Sequence, residues 1–127
     1  MAIRLDPKYA LAYNNRGTAR DGQGDHVGAI TDYTESIFLN PQDAIAYYNR
    51  GSARDNQGDH VGAIIDYTES IRLDPEDADA YVGRGLASEL LNDYRRALTD
   101  YDTALCIDPQ HKKASDNRAR LLKKMKK

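Results

Sequence analysis

Residues 44–77 read AIAYYNRGSARDNQGDHVGAIIDYTESIRLDPED, and residues 10–43 read ALAYNNRGTARDGQGDHVGAITDYTESIFLNPQD. Set one over the other, 26 of 34 positions are identical, and residues 78–111 follow as a looser third copy. The prolines keep the same step without any alignment choice: Pro7, Pro41, Pro75 and Pro109 are each 34 residues apart. A fixed period of this length marks stacked repeat units, none of which can bury its apolar face alone.

Within a copy the pattern is helix, tight turn, helix, proline turn. Tyr9, Leu11, Ala12, Tyr13 and Ala19 sit among good helix formers from about residue 8 to 23, where Gly24-Asp25 ends the run. Glycine reaches the left-handed conformation without strain, and the aspartate carboxylate caps the next helix. The third copy writes this turn Asn92-Asp93, and asparagine is the next most tolerant residue there. A second helix is expected over residues 26–39, with Ala29, Ile30, Tyr33 and Ile37 at helical spacing. Gly17, Gly51 and Gly85 inside the first helices, opposite Ala29, Ala63 and Ala97 early in the second, imply close approach of the paired backbones. That packing offsets the roughly 1 kcal/mol that a mid-helix glycine costs against alanine. Tyr13, Tyr47, Tyr81 and Tyr33, Tyr67, Tyr101 form two aromatic columns in the same register.

Before the first copy, Ile3-Arg4-Leu5-Asp6-Pro7 repeats the words of Ile71-Arg72-Leu73-Asp74-Pro75. The expected division is therefore a tail of a truncated preceding repeat (1–9), repeats at 10–43, 44–77 and 78–111, and a C-terminal capping helix (112–127). So short an opening segment is expected to fray or to dock on a neighbour. In the last segment Ala114, Leu121, Leu122 and Met125 give one apolar face, and six lysines and two arginines solvate the rest.

Charge is unevenly spread. The net formal charge is −2, but residues 1–111 carry 10 Lys and Arg against 19 Asp and Glu, and residues 112–127 carry 8 against 1. No aromatic residue accompanies the basic tail, so a solvated capping face is favoured over nucleic-acid or membrane contact. Cys106, the lone cysteine, leaves no intramolecular disulfide or cysteine-based zinc site and suits a reducing, cytoplasmic compartment. No apolar run approaches a membrane span. His26 and His60 stand one repeat apart rather than at ligand spacing, and there is no phosphate loop or nucleophile motif. The expectation is a chain with no catalytic role, cofactor or metal.

The 34-residue unit with Ala12-Tyr13-Asn14-Asn15-Arg16-Gly17, then Gly24-Asp25, Ala29-Ile30, Tyr33 and Pro41, resembles the tetratricopeptide repeat. The resemblance covers residues 10–111 in three copies. It implies an all-α, right-handed superhelical solenoid of antiparallel helix pairs whose first helices line a concave groove for peptides or partner helices. It implies no catalysis.

Differences between the first two copies fall on one face of the first helix: Leu11/Ile45, Asn14/Tyr48, Thr18/Ser52 and Gly22/Asn56. By resemblance this is the groove face. The column Asn15, Asn49, Asn117, interrupted by Gly83, offers amide donors and acceptors that could clamp a peptide backbone or bond to a neighbouring helix. Asp21, Asp55 and Glu89 form an acidic column one turn on. The expected groove is thus Leu11, Asn14, Asn15, Thr18, Asp21, Ile45, Tyr48, Asn49, Ser52, Asp55, Asn56, Asp79, Val82, Leu86 and Glu89.

The expected ligand is a basic or neutral peptide. The family's clamp for acidic chaperone tails uses Lys and Asn, then Asn, then Lys and Arg, where this chain has Asn14 and Thr18, then Asn49, then Asp79 and Gly83, so such a tail is not expected. No nucleic acid or membrane partner is expected either. Arg16, Arg50 and Arg84, each 16 residues before Asp32, Asp66 and Asp100, suggest an Arg–Asp ladder between helices. The second function considered is self-association through the uncovered first helix, with Ile3, Leu5, Tyr9 and Tyr13.

Overall fold

The computed structural model describes residues 7–126. It holds seven helices, α1 (Pro7–Gly22), α2 (His26–Leu39), α3 (Ala44–Asn56), α4 (His60–Leu73), α5 (Ala78–Leu90), α6 (Tyr94–Ile107) and α7 (Lys112–Met125), with no strand among the described residues. Ile3 and Leu5, and the frayed or docked opening segment expected around them, lie outside the described residues.

The punctuation works as its chemistry demands. Gly24 and Gly58 take φ of +85° and Asn92 takes +65°, the left-handed turn that frees the chain from each first helix. The carboxylates of Asp25 and Asp59 then accept from the amides of Gly28 and Gly62 at 2.9 Å, and Asp93 accepts from that of Arg96 at 3.3 Å. Each of these bonds satisfies one of the free amides at a helix N-terminus. Asp43 and Asp77 do the same for α3 and α5.

What the glycine column makes room for is mainly a tyrosine ring. A Cβ on Gly17 would stand 2.7 Å from the ring of Tyr33, and one on Gly85 would stand 2.8 Å from that of Tyr101. At Gly51 and Gly85 the carbonyl oxygen of Ala63 or Ala97 is also 3.2 Å away, the close backbone approach expected from small residues on both helices. Tyr33, Tyr67 and Tyr101 are accordingly buried, as are Ala29, Ala63 and Ala97.

The Arg–Asp ladder forms inside each pair. Arg16 grips Asp32 through Nε and Nη2 at 2.9 and 2.7 Å, Arg50 grips Asp66 at 3.0 and 2.8 Å, and Arg84 grips Asp100 at 3.0 and 2.8 Å. Such bidentate geometry is the stronger form of the contact. Each guanidinium also lies over the ring of Tyr13, Tyr47 or Tyr81, 5.3–5.8 Å from its centre. The carboxylates are buried, so this is no set of surface ion pairs. Arg118 of α7, with no second helix following it among the described residues, pairs instead with Asp102 of α6.

Every second helix packs on its own first helix and on the next one: α2 on α1 and α3, α4 on α3 and α5, α6 on α5 and α7. First helices also touch along the row α1, α3, α5, α7, whereas no second helix touches another. A stack whose first helices meet and whose second helices splay apart is curved, with the first helices on the inside.

Candidate inner-face binding site

Helical geometry decides which side chains reach the inner face. Residues spaced i, i+4, i+7, i+11 share one stripe. On α1 these are Leu11, Asn15, Thr18 and Gly22; on α3, Ile45, Asn49, Ser52 and Asn56; on α5, Asp79, Gly83, Leu86 and Leu90. Leu11, Ile45, Asp79 and Leu90 are well exposed, so no described part of the chain covers the two ends of the stripe. Leu90 escaped the sequence reading, although the same offset from Gly22 and Asn56 points to it.

Expected groove residues one position back turn sideways, toward the next first helix. Asn14 is buried and its Oδ1 accepts from Asn49 Nδ2 at 3.0 Å, so the Asn49 amide ties α1 to α3. Tyr48 packs against Tyr67 with ring centres 5.5 Å apart, and a Cβ on Gly83 would meet the Tyr67 ring at 2.8 Å. That contact is why the asparagine column breaks at Gly83. Val82 is buried in the core with Ala97 and Tyr101 rather than open to a ligand. Of the asparagine column, Asn15 stays exposed, while Asn117 Oδ1 accepts from Arg120 Nη1 at 2.8 Å. Thr18 donates to the Asn14 carbonyl at 3.0 Å and accepts from the Tyr33 hydroxyl at 3.2 Å. Ser52 hydrogen-bonds to Tyr67.

Each carboxylate of the acidic column has a hydrogen-bond partner that the turn or the next helix brings to it. Asp21 and Asp55 make short hydrogen bonds to Nδ1 of His26 and His60, the first residues of α2 and α4. The repeated spacing of five was legible, but a histidine partner was not weighed. Glu89 is buried and accepts from the Tyr101 hydroxyl at 2.9 Å, Arg120 Nη2 at 2.8 Å and Lys124 Nζ at 2.9 Å. Burial alone would raise its pKa; the bonds from Lys124, Tyr101 and Arg120 more than reverse this, so it lies below the ordinary carboxylate value. Burial and the neighbouring carboxylate both push the Tyr101 hydroxyl up. Asp79, the other expected negative charge, is held by Nε2 of His111 at 2.6 Å.

A fourth inner stripe completes the face. On α7 the same spacing gives Lys113, Asn117, Arg120 and Lys124. The 34-residue offset had placed Asn117 in the asparagine column, but the lysines and arginines around it were read as the solvated face of a cap.

The comparisons agree with this architecture. A family model described as tetratricopeptide repeat matches residues 14–75 and 63–116. No curated protein matches the chain. Among solved structures, the first such domain of Spaghetti (RPAP3), bound to the HSP90 peptide SRMEEVD, superposes with a TM-score of 0.94 at 25% identity, covering 99% of this chain and 100% of that one. The Arabidopsis OM64 domain gives 0.89 at 32% identity, covering 91% and 96%. The second domain of human RPAP3, in complex with the HSP70 peptide SGPTIEEVD, gives 0.87 at 27% identity, covering 90% and 95%.

Two of these neighbours hold acidic C-terminal chaperone peptides, which overturns the expectation that a chaperone tail is excluded and that the partner is basic or neutral. The physical reason lies in the site. The expectation counted Asp21, Asp55 and Glu89 as uncompensated charge and found no cation on the first three stripes, whereas each of these carboxylates has a partner and α7 adds cations to the face. With six helices stacked in three pairs, α7 packed on the last of them, and the family model matched across most of its length, the chain belongs to the tetratricopeptide repeat family.

Proposed function

We propose that this chain is a non-catalytic interaction scaffold that takes an extended segment of a partner protein along its inner face. The observation that carries the reading is the stripe of exposed apolar side chains, Leu11, Ile45 and Leu90, on the inner sides of three helices whose cores are filled with alanine and tyrosine. Leu86 and the polar Asn15, Thr18, Ser52 and Asn56 stand between them. Leu11 and Ile45 recur at the same register on adjoining helices and make one apolar contact, and Leu90 offers another at the opposite end of the face. The peptides held by the two neighbours named above support the same mode of use.

The test is retention of partners from a cell extract by the wild-type chain and by Leu11→Ser/Ile45→Ser. Both side chains are well exposed, so the fold is expected to persist, which circular dichroism checks. A protein held by the wild type and lost from the variant supports inner-face binding. Identical retained sets would refute it.

A second reading, self-association through α1, has its own observation. Ala12 and Ala19 are exposed, whereas their counterparts Ala46, Ala53, Ala80, Ala87 and Ala114 are all 0% exposed against the preceding second helix. A hollow of about 210 Å³ lined by Tyr9, Ala12, Tyr13 and Arg16 opens on that face. Mass by light scattering that rises with concentration, and falls back to monomer in Ala12→Glu/Ala19→Glu, is the expected outcome; a monomer at every concentration would sink it.

A further inference from the structure

We propose that the outer side of the third repeat carries a second binding site, a hollow between α4 and α6 that takes the guanidinium of an arginine side chain from a partner protein. It lies across the first helices from the inner face and stands independently of what that face binds.

The three copies differ at one place in the ladder. In the first, Asp32 Oδ2 faces a second guanidinium, Arg20 Nη1, at 3.2 Å, and in the second, Asp66 Oδ2 accepts from Arg54 Nη1 at 2.9 Å. Arg20 and Arg54 stand one repeat apart, and the next residue in their column is Ser88. Asp100 therefore keeps the grip of Arg84 alone, at 3.0 and 2.8 Å, with no second cation paired to it among the described residues. Its side chain is nevertheless buried, only 5% exposed. A carboxylate offers about four lone-pair sites, so Asp100 Oδ2 keeps open an acceptor direction that its two counterparts fill.

Space is left where the missing side chain would run. A hollow of about 650 Å³ opens there, with the buried Ser88 and Asp100 on its floor and Ile64 and Leu91 among its walls. That volume lies in the ordinary range of ligand sites. Apolar walls suit the methylene stem of an arginine, and the floor carboxylate suits its planar fork. Lysine fits less well, because an ammonium is a more strongly hydrated point charge without that fork.

Three arginines also line the hollow, yet they make it no anion site. Arg84 is fully engaged: Nε and Nη2 go to Asp100, and Nη1 donates to Thr68 Oγ1 at 3.4 Å. Arg96 is paired with Asp93 at 3.4 Å. Arg95 is exposed, so solvent and salt weaken its repulsion of an incoming cation. An anion would have Arg95 to hold it and both Asp93 and the buried Asp100 against it.

The test uses the intact chain and three blocked amino acids, the N-acetyl N-methylamides of arginine, lysine and glutamate, titrated while amide chemical shifts are followed by NMR. The arginine probe is expected to move the amides of Ser88, Thr99 and Asp100 with a Kd on the order of 1–10 mM, and to bind at least about fivefold more tightly than the lysine probe. Ser88→Arg gives the third copy the arginine of the other two. It is expected to abolish those shifts and to raise the melting temperature by about 2–4 °C. Arg95→Gln, which leaves the floor intact, is expected to tighten the arginine probe about twofold, and it keeps the test valid should Ser88→Arg fold poorly. Equal binding of the arginine and lysine probes, undiminished shifts in Ser88→Arg, or a melting temperature that stays or falls in a folded Ser88→Arg would each overturn the site. Stronger shifts from the glutamate probe, or weaker arginine binding in Arg95→Gln, would overturn it in favour of an anion site.

Discussion

Replacing Asp66 with alanine probes the centre of the ladder. Its carboxylate is 1% exposed and accepts three guanidinium bonds, from Arg50 Nε and Nη2 at 3.0 and 2.8 Å and from Arg54 Nη1 at 2.9 Å. The arginine side chains left behind are 15% and 27% exposed, so they regain only part of their hydration. Breaking a fully buried ion pair by removing one partner costs about 3–5 kcal/mol. Because both forks can reach water, about 2–3 kcal/mol is the reasoned value here. Asp32 is equally buried, but its partners Arg16 and Arg20 are 55% and 38% exposed, so Asp32→Ala should cost nearer 1 kcal/mol. Urea unfolding followed by circular dichroism gives both numbers, and for a chain of this size the Asp66 variant should melt roughly 8–12 °C lower. If Asp66→Ala costs no more than Asp32→Ala, partner burial does not set the strength of the ladder and the reasoning fails.

Gly85→Ala should destabilise by about 1 kcal/mol net, because a methyl 2.8 Å from the Tyr101 ring and 3.2 Å from the Ala97 carbonyl outweighs the helix-propensity gain. Gly22→Ala, with nothing within 4 Å of the new carbon, should stabilise by a few tenths of a kcal/mol in the same urea titration; a shared sign would show that the ring contact is soft. Glu89 has a depressed pKa in the fold, so its contribution is present above the unfolded value of 4.5 and is lost as pH falls through the folded one. Melting curves of wild type and Glu89→Gln should therefore converge below that window, and a gap that persists to the lowest pH would contradict the assignment. Asn49→Ala leaves Oδ1 of the buried Asn14 without its donor and should cost about 1–2 kcal/mol by denaturation, which makes it a poor probe of binding.

Periodic features were legible because identical residues at a 34-residue step must do the same structural job three times. Gly24, Gly58 and Asn92 announced the left-handed turn, and the pairing of Arg16, Arg50 and Arg84 with Asp32, Asp66 and Asp100 followed from phase alone. What phase does not reveal is how deep a residue sits. The ladder carboxylates looked like surface charge, and Val82 and Asn14 like ligand contacts, yet burial depends on which helix lies across from them. The cationic stripe was hidden for a different reason, since α7 keeps the register of a first helix but few of its words.

Variation between copies has two physical origins on this face. Asn14 and Asn49 bond across the α1–α3 contact, and the α3–α5 contact replaces that pair with Tyr48 and Gly83, where a second ring fills what the missing side chain vacates. One change requires the other, so these differences belong to stacking. At the head of each stripe stand Leu11, Ile45, Asp79 and Lys113, all well exposed, and of these Asp79 is tied to the start of α7 by His111. Nothing in the packing of the first helices dictates that Leu11 and Ile45 be apolar or Lys113 basic. A segment lying across all four helices would meet an apolar end first and a cationic end last, so the same row that gives it affinity would also fix its direction.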